Sequence, residues 1–275
     1  MGAFTTTRNE PFGVTIAPAE PGADFSVVPA ATLVELAREH HIVLLRGFTG
    51  IEGAPALTEF SATLGELVEW PFGYVLELVE SDNPSDHIFD HSYVPMHWDG
   101  MYMPKVPEFQ VFHCVLAPGA ADGGETTFAD TTLVLGNATP RELERWAKVT
   151  GTYRRKMEFY DSLTIAPLIA EHPHTGTPVI RYNELTSPED DTFINHPDLE
   201  FTGLPESELA EVHAEVTKAL YDAANFYAHT WQDGDLVITD NFTLLHGRNA
   251  FTAKAPRHLR RVHVGGIANP HLVTT

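Results

Sequence analysis

His97 and Asp99 are separated by one residue in the run Val94-Pro-Met-His-Trp-Asp-Gly-Met-Tyr102. Alternate positions of an extended strand project from one face, so an imidazole and a carboxylate here would aim at one point. That is two thirds of a 2-His-1-carboxylate metal site. A rival pair, His196-Pro197-Asp198, has the same spacing, but its proline is misplaced in a central strand and residues from Leu199 read as leading into a helix. His172-Pro173-His174 sits among turn-forming residues and reads as surface loop. The best second imidazole is His246, which ends a strand-like apolar run and precedes Gly247, as a strand tip opening into a cleft would. Arg257 and Arg261 follow it by eleven and fifteen residues. With Leu259 they share one face of a last strand. In so acidic a chain they are either surface ion pairs or a buried fork that grips a carboxylate bidentately.

The elements that must carry these residues are short. Residues 1–28 read as an arm wrapping the domain. Leu33, Leu36 and Ala37 predict a helix over 29–40, followed by a buried strand at 42–45. A helix over 54–64 is ended by Gly65, and a strand runs through Phe112, Cys114 and Leu116, with Cys114 in the core. Turn residues fill 117–124, and 125–129 reads as a strand. Thr139-Pro-Arg-Glu142 is a capping box that starts a helix reaching about Val149. Strands are expected at 152–160 and 178–182, and an amphipathic helix at 205–225. A hairpin turning at Asp233-Gly234 would join 226–231 to 235–239. The last strand is 258–264. The pattern is an all-β core with flanking helices, a sandwich or barrel, read as one domain over 1–275.

Composition narrows the classes. Apolar residues make up 43% of the chain and the formal charge is −21, which disfavours nucleic acid and anionic lipid as partners. No stretch approaches the ~18 apolar residues of a membrane span. The N-terminus lacks a signal-peptide apolar region, and the lone Cys114 fits a reducing cytoplasm.

His97-Trp98-Asp99, Gly123-Gly124-Glu125-Thr126, and His246 with Arg257 and Arg261 together resemble the taurine-dioxygenase-like (TauD/TfdA) branch of iron(II)/2-oxoglutarate-dependent oxygenases. The resemblance covers about Ile42 to the C-terminus. Segments 86–90, 97–102, 106–114 and 234–241 are similar to the PvcB-type subgroup, dioxygenases of paerucumarin- and rhabduscin-type pathways. This implies a double-stranded β-helix (jelly roll) with His97, Asp99 and His246 as the catalytic iron ligands. 2-Oxoglutarate would take two open positions on the metal and O2 the last. Arg261 and Thr126 would bind the distal carboxylate of 2-oxoglutarate, with Arg257 beside them. Glu125 stands where many relatives have Asp.

The implied substrate is an aryl amino-acid isonitrile, chiefly tyrosine isonitrile supplied by an isonitrile synthase, desaturated with or without loss of carbon dioxide. Arg181 is the candidate for the substrate carboxylate, unless it sits in an ordinary salt bridge. Trp98, Met101, Tyr102, Phe72 and Tyr74 would wall an aromatic pocket. Two other readings stay open: hydroxylation of a free or carrier-bound amino acid with the same cofactors, and a non-catalytic jelly roll that only binds ligand. A halogenase is disfavoured, because Asp99 fills the position a halide needs.

Overall fold

Ile42–Leu45 is buried along its whole length. Alternation divides its side chains: Ile42 and Leu44 face one apolar cluster, Val43 and Leu45 another. The neighbouring strands divide the same way. Val237, Phe112, Cys114 and Leu259 join the first cluster; Ile238, Val111, Val262 and Val264 join the second. Such residues require a sheet covered on both faces. A computed structural model, in which residues 2–80, 84, 86–157, 160–186 and 196–273 are described, has that sheet.

It contains seven strands in the order Phe4–Arg8, Val14–Pro18, Ile42–Leu45, Leu236–Asp240, Phe109–Leu116, His258–Val264 and Val75–Val79. Val14–Pro18 runs parallel to Ile42–Leu45, and the other neighbours are antiparallel. The N-terminal arm is therefore built into the sheet as two added strands. Helices Ala30–His40 and Gly53–Ala62 cover the outer face through Leu33, Ala37 and Leu57.

The inner face packs on four strands in the order Phe226–His229, Thr126–Asp130, Leu244–Arg248 and Val94–His97. Phe128 and Leu244 meet Phe112 and Leu259 between the sheets. Beyond the smaller sheet, Ala129 and Leu245 pack against Val212, Val216 and Leu220 of helix Glu206–Leu220 and against Trp146 of helix Pro140–Trp146. The predicted capping box is present: Thr139 N–H donates to the Glu142 carboxylate at 2.7 Å, and Glu142 N–H to the Thr139 hydroxyl. The two facing sheets are those of a jelly roll.

Local expectations depart in three places. The strand expected over 152–160 is Thr150–Met157, paired with Tyr160–Pro167; residues 158 and 159 lie outside the described set. Leu199 begins no helix, because Asp198–Thr202 is a strand added to Thr150–Met157. Phe226–His229 and Leu236–Asp240 form no hairpin. The turn at Asp233-Gly234 exists, but it carries the chain from one sheet to the other. Asp235 fixes that corner. Its buried carboxylate accepts from Arg46 at 2.6 and 2.8 Å, from Gln232 N–H at 2.9 Å, and contacts His229 Nε2 at 3.1 Å.

Removing that carboxylate leaves Arg46 without its ion pair and the Gln232 N–H without its acceptor. Asp235→Ala is expected to lower unfolding free energy by about 3 kcal/mol at neutral pH, read from urea midpoints. Burial alone would raise the Asp235 pKa, yet Arg46 and His229 hold it below its ordinary value. Its contribution is therefore complete above the ordinary carboxylate range and is lost as pH falls through the folded value, so the deficit of the variant should shrink in acid.

Candidate active site

His97 ends its strand, and its register partner on the adjacent strand is His246. From His246 to Arg248 the one strand advances two residues, while its partner retreats from His97 to Val94, so the extra residue bulges at Pro95-Met96. Proline suits a bulge, having no N–H to contribute to the ladder. Gly247 suits it too: a Cβ there would lie 2.4 Å from the Val94 carbonyl oxygen. Paired residues share a face, so both imidazoles enter the space between the sheets, with ring centroids 4.2 Å apart. His97 Nδ1 lies 2.8 Å from the Pro95 carbonyl oxygen. That oxygen can only accept, so Nδ1 carries the hydrogen and the Nε2 lone pair is free.

Asp99 lies two residues past the strand end, so strand alternation alone does not place it. The Asn241 side chain does. Its carbonyl accepts from Asp99 N–H at 3.0 Å, and its amide donates to the backbone oxygens of Asp99 (3.0 Å) and Pro107 (2.9 Å). Gly100 then turns the chain at φ +96°, where a Cβ would press within 2.8 Å of Val106 and Pro107.

The ligand atoms of His97, Asp99 and His246 lie within 4.8 Å of one another. Asp99 Oδ2 is already occupied: it accepts from Arg261 at 2.7 Å, from His263 Nε2 at 2.8 Å and from the Gln110 amide. The Trp70 indole, donor only, points at His263 Nδ1 over 3.0 Å, so His263 must hold its hydrogen on Nε2, facing Asp99. Thr239 in turn steadies Gln110 with a hydrogen bond of 2.9 Å. Oδ1 is left free, 3.8 Å from His97 Nε2.

Burial would raise the Asp99 pKa, but the Arg261 guanidinium and the hydrogen bond from His263 hold it well below its usual value. Burial also keeps His97 and His246 neutral, the latter further depressed by its neighbour His97. Two neutral imidazoles and one ionised carboxylate are the donor set that iron(II) takes in 2-His-1-carboxylate sites. The residues fit the metal.

Two cavities meet there. The first is lined by His97, His246, Thr126, Arg257 and Arg261. Thr126 and both arginines line it together, but the two guanidinia have different partners. Arg261 contacts the metal ligand Asp99, whereas Arg257 is held away from it by Glu80 (2.8 Å) and the Gly124 carbonyl. Spacing places both arginines on one face but does not reveal their depth. The second cavity, ≈ 320 Å³, is lined by His97, Asp99 and Arg261 together with Phe72, Trp98, Met101 and Tyr102. Tyr74 is not in that wall.

Arg181 does not reach this cavity. Its strand ends at Ile180, and its guanidinium lies behind Trp98, 5.2 Å from the ring, facing a different chamber. Besides Arg261, the arginine that lines the substrate-sized cavity is Arg155, paired with Asp86. His196 bonds Thr186 instead of joining the cluster. Cys114 is core as expected, its thiol pushed up to about 12 by burial. Sequence reasoning missed Gln110, Trp70, Asn241 and His263. Only His263 carried a signal, lying two residues past Arg261 on the same face.

A jelly roll with this triad and a guanidinium-lined cavity beside it defines an iron(II)/2-oxoglutarate-dependent oxygenase. Comparison with known sequences narrows the class. The chain belongs to the taurine catabolism dioxygenase TauD, TfdA family, whose model matches residues 8–263. It is 47% identical over 268 residues to a tyrosine isonitrile desaturase of Pseudomonas aeruginosa, covering 96% of this chain and 92% of the relative. It is 46% identical over 278 residues to a tyrosine isonitrile desaturase of Erwinia amylovora, covering 99% and 95%. The solved structure of PvcB, described as an Fe, α-ketoglutarate-dependent oxygenase from an isonitrile synthetic pathway, superposes with a TM-score of 0.84 at 43% identity, over 98% of this chain and 95% of that one.

Trp70→Phe keeps the ring and removes the donor that sets the His263 tautomer. Iron(II) affinity, measured by calorimetry under anaerobic conditions, is expected to fall about tenfold, with the urea midpoint little changed.

Proposed function

We propose that this oxygenase desaturates an aryl amino-acid isonitrile, with tyrosine isonitrile as the leading substrate, in natural-product biosynthesis. The observation that carries the reading is the aromatic-walled cavity opening directly over His97 and Asp99, in a chain similar along nearly its full length to two tyrosine isonitrile desaturases. Iron bound by His97, Asp99 and His246 would, with 2-oxoglutarate and O2, supply the oxidising power to remove hydrogen from a substrate carbon.

The chain's own residues do the positioning. Arg257 and Thr126 suit the distal carboxylate of 2-oxoglutarate, as a bidentate donor and a hydroxyl at the far end of the first cavity. Arg261 suits the end nearer the metal. Trp98, Met101, Tyr102 and Phe72 would hold an aryl ring and exclude water, which fixes the carbon presented for reaction. An isonitrile is not an ordinary metabolic group, so an isonitrile synthase must act before this enzyme. The single, buried Cys114 and the need to keep iron ferrous support a cytoplasmic setting. One oxygenase domain over the whole chain is supported by the way the first strands complete the large sheet.

Succinate release coupled to tyrosine isonitrile, with the product analysed by mass spectrometry, tests the reading. Loss of two hydrogens reports desaturation, and a further loss of carbon dioxide reports the decarboxylating outcome. A product that has gained an oxygen, or no succinate beyond the substrate-free rate, would sink it. The division between the arginines has its own test. Arg257→Gln should raise the half-saturating 2-oxoglutarate concentration about 30-fold, roughly one charge-assisted hydrogen bond, without weakening iron(II) binding. Arg261→Gln should change both.

A further inference from the structure

Arg181 is 5% exposed, yet among the described residues its side chain makes no hydrogen bond or ion pair, and its Nη1 is wholly buried without a partner. A buried guanidinium in that condition is costly unless something meets it. It forms one wall of a chamber of ≈ 250 Å³ whose other walls include Trp98, Phe242, Ile267, Pro270 and His271. Asp240, whose charge reaches it, is engaged elsewhere: it accepts from Phe242 N–H at 2.8 Å and the Thr243 hydroxyl at 2.6 Å, with His172 at 3.4 Å.

A planar fork without a partner, at the wall of a cavity, is matched in shape and charge by a carboxylate. Charge balance limits the ligand further. Arg181 is the only Lys or Arg among the described lining residues, which also include Glu171, and the charge of Asp240 reaches it. One guanidinium can pair with one carboxylate, and a second anionic group, as in phosphate dianion or a dicarboxylate, would have no cation to meet it and two acids to repel it. The indole, phenyl and aliphatic walls suit an apolar body.

We propose that this chamber is a second binding site, which takes a small monocarboxylate with an aromatic or aliphatic body, apart from the iron and 2-oxoglutarate site. Trp98 is the partition. It lines this chamber and the cavity over the metal, and it stands in the chain between the two ligands His97 and Asp99. A carboxylate on Arg181 alters the charge stacked on that indole, so occupancy is reported at the wall of the active site.

The test uses protein loaded with Mn(II) and N-oxalylglycine, so that the metal site and its neighbouring arginines are filled. Benzoate is titrated by calorimetry, with tryptophan emission followed in parallel. One equivalent should bind per chain, terephthalate should bind at least about tenfold more weakly, and Arg181→Gln should weaken benzoate by about tenfold or more. Arg181→Lys, which keeps the charge and loses the fork, should fall between. The emission change should vanish in Trp98→Phe. If Arg181→Gln fails to fold, the lysine variant and the terephthalate comparison decide. No benzoate uptake by the loaded wild type, meaning a chamber that holds water only, overturns the proposal. So does uptake equal for benzoate and terephthalate, or unchanged when Arg181 is replaced.

Discussion

The cross-strand pair His97–His246 is the constraint from which the rest of the site follows. Two residues far apart in the chain meet because a bulge at Pro95-Met96 offsets one strand against its neighbour, and Gly247 lets the backbones close over it. Loss of that offset would return one imidazole to the wrong face of a sheet. Asp99 then completes the set from outside regular structure, held by Asn241 as a strand partner would hold it. The metal-binding geometry is thus fixed by backbone features before any cation arrives, which is what makes it preorganised.

The electrostatics are inverted between surface and interior. The chain carries a formal charge of −21, yet Arg155, Arg181, Arg248, Arg257 and Arg261 lie in or beside the interior cavities. An anionic cosubstrate is repelled by the exterior and attracted within. Arg248 shows what the interior demands of such groups. With no carboxylate paired to it among the described residues, it donates to the backbone oxygens of His87, Ile88, Asp90 and Ser92, tying the cavity rim to the metal strand. Burial pushes its pKa down to about 9.

Much of this was legible in the chain. The unbroken apolar run Ile42–Leu45 announced a buried strand, the capping box at Thr139 started its helix on cue, and the two histidines and the aspartate came together as the resemblance implied. What failed had depth or partner choice in common. A turn at Asp233-Gly234 says that the chain reverses; it does not say onto which sheet. Arg257 and Arg261 share a face, but only the contacts with Glu80 and Asp99 tell which one lies near the metal. Arg181 was misread because nothing local reveals that Trp98 stands between it and the substrate cavity. Gln110 and Trp70 act across pairings between distant segments, to which a one-dimensional pattern is blind.

Arg261 belongs to both cavities and to Asp99 at once. A single guanidinium cannot satisfy three claimants independently, so the occupant of either cavity changes the terms on which the other is filled. Thermodynamic reciprocity then requires that whatever 2-oxoglutarate does to substrate affinity, substrate does equally to 2-oxoglutarate affinity. An affinity for either one is defined only when the state of the other is given.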